Sequence, residues 1–142
     1  MKILYYFSKD IQGIRIPPKY KKLVREIEKR EEQRIGEICY IFVSTKDIKL
    51  INHDFLGHDY ETDVITFERE KKIIRSGDVY ICPEIVFANA DELKIERESE
   101  LIRVMIHGIL HLLGYNDKNA EELRNMRKKE DLYLEMYEKI QT

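Results

Sequence analysis

His107 and His111 stand four residues apart, and Asp117 follows six residues later. On a helix, positions i and i+4 differ by ~40° in direction and ~6 Å in height, so both imidazoles lean over one face. That is a common way to present two nitrogens to one metal ion. Gly114 is a natural helix stop, because it can take positive φ and turn the chain back toward the same face, bringing Asp117 with it. The pattern H-x-x-x-H-x-x-G-x-x-D thus offers two nitrogens and one carboxylate oxygen. Three protein ligands leave a fourth position for water, which is the catalytic rather than the structural arrangement. Zinc is the default ion for this donor set, and nickel, iron or manganese would also accept it. The plainer alternative is two hydrogen-bonded core histidines and an aspartate in a turn. A single histidine would favour that alternative, whereas two at this spacing with a third donor favour the metal.

The carrier of the pair is LIRVMIHGILHLL, residues 101 to 113, apolar on nearly every side and therefore predicted to be a buried helix, from about Glu96 to Leu113. A buried imidazole needs a partner, since an unsatisfied polar group in such a place costs a few kcal/mol, on the order of 2–7. Gly108 inside this helix costs ~1 kcal/mol relative to alanine, which implies that something approaches the helix closely there. Its position also excludes the H-E-x-x-H arrangement of zinc proteases, which places a general-base glutamate directly after the first histidine. The frame is otherwise shared with metzincin proteases. Without that base, activation of water falls to the ion, which can lower the pKa of bound water to about 7.

The elements that must hold this helix are legible in outline. Lys2 to Phe7 reads as a strand, and Pro17-Pro18 as a break before a helix over Lys19 to about Arg34, with Tyr20, Leu23, Val24 and Ile27 at helical spacing. Gly36 punctuates, and Glu37 to Ser44 is a β-branched and aromatic strand. Thr45 is placed to cap a helix that Gly57 ends. Asp63 to Phe67 and Asp78 to Cys82 read as strands joined by the charged stretch EREKKIIRSG, in the manner of a hairpin. Pro83 opens a helix to about Leu93. Asn119 to Ile140 is a final helix with Leu123, Met126, Tyr133, Tyr137 and Ile140 on one face. Strands and helices mix without strict alternation, which predicts an α+β fold with a mixed sheet of about four strands.

The chain has 142 residues, suited to a single domain with one core, here residues 1–142. Acids and bases nearly cancel, giving a net charge of -2, which argues against a whole-surface nucleic-acid binder while permitting a local basic groove. Cys39 and Cys82 lie far apart in apolar runs and read as two buried thiols of a reducing compartment. No signal peptide or membrane span is legible, so the expectation is a cytoplasmic protein. One basic cluster (Lys19, Lys21, Lys22, Arg25, Lys29, Arg30) reads as a solvated helix face. The other (Arg69, Lys71, Lys72, Arg75) borders a loop beside the strands, where it either tracks a polyanionic backbone or is simply solvated. Met126 reads as core packing. Asp63 and Asp78 sit at strand edges near the expected cleft, either ordering the site or merely starting strands.

HGILHLLGYND resembles the H-G-x-L-H-L-x-G-Y-D-H signature of the YbeY endoribonuclease family. The likeness extends to NHDFLGHDYETDVITF, residues 52 to 67, and to GDVYIC, residues 77 to 82. It implies a zincin-like α+β fold with a metal site on a buried helix. It also implies a single-strand-specific endoribonuclease acting in ribosomal RNA maturation and ribosome quality control, with single-stranded RNA and the small ribosomal subunit as partners. Two positions depart from the pattern. The third ligand, usually histidine, is Asp117, a competent zinc ligand. The family's arginine, suited to a phosphate, is Leu56, and its lysine is His58, which either substitutes when protonated or is simply exposed. The expected site is therefore His107, His111 and Asp117 holding one Zn2+, with His58 as a candidate helper. A peptidase-like metallohydrolase using the same ligands, and a non-catalytic ribosome-associated RNA-binding protein with a structural metal, are the competing readings.

Overall fold

A computed structural model describes residues 1–58, 62–71 and 73–141, without the side chains of residues 70 and 71. The described residues form four strands and five helices. Strand β1 (Lys2–Phe7), helix α1 (Lys19–Glu31) and strand β2 (Arg34–Phe42) make a crossover unit, and the two strands pair in parallel from Lys2↔Glu37 to Phe7↔Phe42. Strand β4 (Ile74–Ile81) lies parallel to β2 on its other side, and β3 (Val64–Lys71) pairs antiparallel to β4. The order β1-β2-β4-β3 makes a mixed four-stranded sheet with β3 at one edge. The α+β expectation holds.

Side chains alternate between the faces of a strand, and that alternation divides the sheet. Ile38, Tyr40, Phe42, Val79 and Ile81 join α1, α4 (Arg97–Leu112) and α5 (Ala120–Lys139) in the main core. Val43, Ile65 and Cys82 face the other way, where α2 (Thr45–Leu56) contributes Ile48. Helix α3 (Pro83–Leu93) opens on its proline and adds Val86 to the main core. Cys39 and Cys82 are free, buried thiols, and Met126 is core, as expected.

Four local readings need correction. Helix α1 stops at Glu31 because Glu32 adopts the left-handed conformation, and Gly36 lies inside β2 rather than before it. The sheet register shifts between Ile35 and Ile38, and a Cβ at Gly36 would stand 2.7 Å from Ile74 Cγ2 and Ser76 Oγ. The charged stretch after Phe67 is strand on both sides: β3 runs on to Lys71 and β4 begins at Ile74. Arg75 and Glu68 pair across it at 2.9 Å, so opposite charges support the hairpin there. Ser44, not Thr45, caps α2, its extended backbone letting Oγ accept from the Asp47 amide at 3.2 Å.

The placement of α4 decides everything at the site. A Cβ on Gly108 would fall 2.7 Å from Val79 Cγ1, and one on Gly77 would fall 2.4 Å from Leu112 Cδ2. Both glycines exist so that the helix can lie directly on β4, which is the close approach the sequence implied. Four residues of helix and two of strand each advance about 6 Å, so helix and strand keep step in opposite directions. Because β3 is antiparallel to β4, with Thr66↔Val79 and Glu68↔Gly77, α4 runs alongside β3 in the same direction. An open groove of about 660 Å³ follows that seam.

Candidate metal centre

Helix α4 ends in a Schellman turn. Gly114, at φ 103, donates to the His111 carbonyl, and Tyr115 donates to the Leu110 carbonyl, at 3.1 and 3.0 Å. This reversal carries Asp117 back over the helix. His107 Nε2 and His111 Nε2 approach to 2.9 Å, and Asp117 Oδ2 lies 3.2 Å from His111 Nε2 and 3.5 Å from His107 Nε2. The structure therefore brings all three predicted ligand residues together at the groove.

The remaining nitrogens explain the orientation. His111 Nδ1 lies 3.0 Å from the Tyr115 carbonyl, which can only accept, so Nδ1 carries the proton. His107 Nδ1 donates to Glu130 Oε2 at 2.7 Å. With both Nδ1 protons committed, the two Nε2 atoms turn toward one another and toward a carboxylate oxygen, and a ring without a second proton presents a bare lone pair there. Burial, then the charge of His107, holds the His111 pKa below the ordinary histidine value, so a shared proton is disfavoured there. The observed separations bracket the ~3.3–3.4 Å edge of a tetrahedron built from 2.0–2.1 Å ligand bonds. The donor set fits a zinc-sized divalent cation.

Sequence reasoning missed Glu130. It is only 6% exposed and meets His107, Arg103 at 3.3 Å and Arg127 at 3.6 Å. A carboxylate on the outer nitrogen of a ligating histidine fixes its tautomer and ring plane. The signal was present: Met126, Glu130, Tyr133 and Tyr137 share one buried helical stripe, and a glutamate in such a stripe calls for partners. Also missed was Glu31, whose carboxylate accepts from Tyr115 Oη at 2.5 Å, from Tyr133 Oη and from Lys129 Nζ at 2.9 Å. Burial opposes charge on Glu31, but these donors outweigh it and lower its pKa. Through Tyr115, Glu31 braces the turn that delivers Asp117. That contact joins residues 84 apart, so no local pattern could reveal it.

The other expected positions divide. His58 and Leu56 are exposed and stand in the groove wall, as does Asp63, whose carboxyl burial pushes up. Asp78 is not at the groove. It points to the opposite sheet face, where Arg69 Nε meets it at 3.1 Å, because strand alternation separates it from Gly77 and Val79. Arg69 also binds Glu37 at 3.0 Å, and Arg75 is held by Glu68, so carboxylates occupy both described guanidinium groups of the second basic cluster. Lys72 and the side chain of Lys71 lie outside the described residues, as do Asp59, Tyr60 and Glu61 of the resemblance segment. Leu123 is not core. It is half exposed and lines the groove beside Met126.

Fold and centre together define a class: an α+β protein whose groove-floor helix offers an i,i+4 histidine pair, and the turn after it a carboxylate, to a single cation. The comparisons narrow this class. The family model for endoribonuclease YbeY matches residues 7–138. The chain is 42% identical over 116 residues to the endoribonuclease YbeY of Chlorobium phaeovibrioides, covering 82% of this chain and 78% of that one. It is 40% identical to that of Bacteroides fragilis, covering 88% and 93%, and 39% identical to that of Cytophaga hutchinsonii, covering 94% of each. The solution structure of TM1509 from Thermotoga maritima superposes with a TM-score of 0.69 at 35% identity, over 96% of this chain and 89% of that one. The chain belongs to the endoribonuclease YbeY family.

Proposed function

We propose that this protein is a metal-dependent, single-strand-specific endoribonuclease of ribosomal RNA maturation and quality control, with His107, His111 and Asp117 holding one zinc or similar ion. The observation that carries this reading is the convergence of two bare imidazole nitrogens and a carboxylate oxygen within 3.5 Å in a groove of a YbeY-family chain. Bound there, a divalent ion would supply an activated water and offset phosphate charge.

The chain's own residues prepare that chemistry. Glu130 and the Tyr115 carbonyl hold the Nδ1 protons, so each Nε2 keeps its lone pair on the groove side. Among the groove-lining residues, five carboxylates (Asp63, Glu68, Glu100, Asp117, Glu130) face two guanidinium groups, Arg103 and Arg127. Such a groove repels an RNA backbone until a cation is bound, which makes RNA binding dependent on the metal. Leu56 withdraws the cation that the family pattern places on that segment. Arg127, 64% exposed along its side chain and 3.6 Å from Glu130, places a guanidinium at the groove from α5. Gly108 in place of a general-base glutamate disfavours the peptidase. Among the described residues no helix is long and apolar enough to cross a membrane.

The test is elemental analysis of the purified protein beside His111→Ala and Asp117→Ala, followed by cleavage of matched single-stranded and duplex RNA. About one ion per chain, lost in both variants together with single-strand cleavage, is the expected result. A metal-free wild type that cleaves RNA as well as before would overturn the proposal.

A further inference from the structure

The face of α4 that carries the ligands does not end at His107. Glu100 lies seven residues earlier, ~20° away in direction and ~10 Å along the axis, on the same groove-lining stripe. It is 8% exposed, yet among the described residues its carboxylate takes part in no hydrogen bond or ion pair. Its oxygens open on the groove, with Arg103 and Arg127 attracting it only at longer range and Asp63 and Glu130 opposing its charge. Glu130, the other buried acid of the groove, has His107 and Arg103 as partners.

A carboxylate in this position needs hydrogen-bond donors, and burial without them raises its pKa. A phosphate cannot provide them, since it brings only acceptors and like charge. The groups of a single-stranded RNA that can do so are base-edge N–H groups and the ribose 2′-hydroxyl. Guanine sets N1–H and N2–H side by side, spaced for both oxygens of one carboxylate, and sequence-specific recognition of single strands uses such edges. Adenine presents an acceptor at N1 beside its N6 donor, so it offers an ionised carboxylate one bond where guanine offers two.

We infer that Glu100 forms a nucleobase subsite of the groove, accepting the Watson–Crick edge of a guanine whose nucleotide lies along the strand from the scissile phosphate. The metal end then cuts at a fixed offset from that base. Arg127, exposed on the facing helix, meets the backbone between the two. The inference rests on the RNA-cleavage reading above.

The experiment places single-stranded adenosine oligomers in competition with the same oligomers carrying one guanosine, moved through each position, using metal-loaded protein. Wild type is expected to favour the guanosine oligomer in kcat/KM by about tenfold at one offset, the discrimination of one bidentate pair. Inosine, which lacks the 2-amino group, should fall between guanosine and adenosine. Glu100→Ala, and the isosteric Glu100→Gln, should bring the ratio toward one. Equal rates for guanosine and adenosine oligomers in wild type, or a preference that survives both variants, would overturn the subsite while leaving RNA cleavage standing. A 2′-deoxy substitution at that offset that slows guanosine and adenosine oligomers alike in wild type, and neither in Glu100→Ala, would assign Glu100 to the ribose and overturn the base assignment. A wild type that cleaves none of the oligomers removes the cleavage reading and this inference with it.

Discussion

Replacing Gly108 by alanine sets two physical effects against each other. Helix propensity alone favours the change by about 1 kcal/mol, because glycine is the poorer helix former. The fold opposes it. The new methyl would sit 2.7 Å from Val79 Cγ1 and 3.0 Å from Cγ2, when carbon atoms pack comfortably at about 3.5–4.0 Å. Val79 is fully buried, β-branched and confined in χ1, so it cannot swing aside. The helix must instead rise by a good fraction of an ångström from β4, at an overpacking cost of about 1–3 kcal/mol. The net expectation is destabilisation of roughly 0–2 kcal/mol, the difference of those two figures. The lift also carries His107 and His111 away from Asp117, so zinc affinity should fall. Urea unfolding of the zinc-free protein measures the first effect and chelator competition the second. Combining Gly108→Ala with Val79→Ala should cost less than the sum of the two single changes, with a coupling of about 0.5–3 kcal/mol. A Gly108→Ala protein more stable than wild type would refute the close-approach argument, since only propensity would then be operating.

Two other expectations follow from the same geometry. Glu130→Gln keeps an acceptor for His107 Nδ1 but loses the charge that stabilises the ligating imidazole, so zinc affinity should drop about 10–100-fold with unfolding still cooperative. Affinity within twofold of wild type by chelator competition, a twofold bound being roughly measurement error on the scale of that effect, would discount the Glu130 contact. His111 has a folded pKa below the ordinary 6.5, owing first to burial and then to His107. Between those two values the unfolded chain binds a proton that the folded chain refuses. Stability of the zinc-free protein should therefore rise with pH across that window and flatten above it. His111→Ala should remove that part of the slope in pH-dependent urea titrations, and an unchanged slope would count against the buried neutral imidazole.

Much of this protein was open to reading along the chain. The i,i+4 histidine spacing, the Gly114 turn and the apolar helix are local properties, governed by 3.6-residue periodicity and by the φ values a residue tolerates, so the convergence of His107, His111 and Asp117 is legible without the fold. Element types followed for the same reason, while boundaries slipped where tertiary contacts prevailed. Gly36 reads as a stop because it follows closely on the polar run Glu31 to Arg34, yet β2 runs through it, its missing Cβ making room for Ile74 and Ser76. The residues from 68 to 77 were read as a connection because they are charged. At an edge hairpin, charge is compatible with strand, since one face stays wet and partners such as Glu68 and Arg75 stand across the ladder.

Tertiary structure alone decided which acids serve the site. Asp63 and Asp78 look alike in sequence, each opening an apolar strand, but register sends Asp78 to the far face and Arg69 while Asp63 lines the groove. Glu130 and Glu31 reach the centre from helices distant in the chain, and Glu100 is left facing the groove without a partner. The amino-acid order by itself determined the three donors and the turn that folds them back, because those depend on neighbours within one or two helical turns. The hydrogen bonds that orient the donors, the groove beside them and the acids at its wall depend on how α4 and α5 pack against the sheet. That is a matter of long-range burial, which no local spacing encodes.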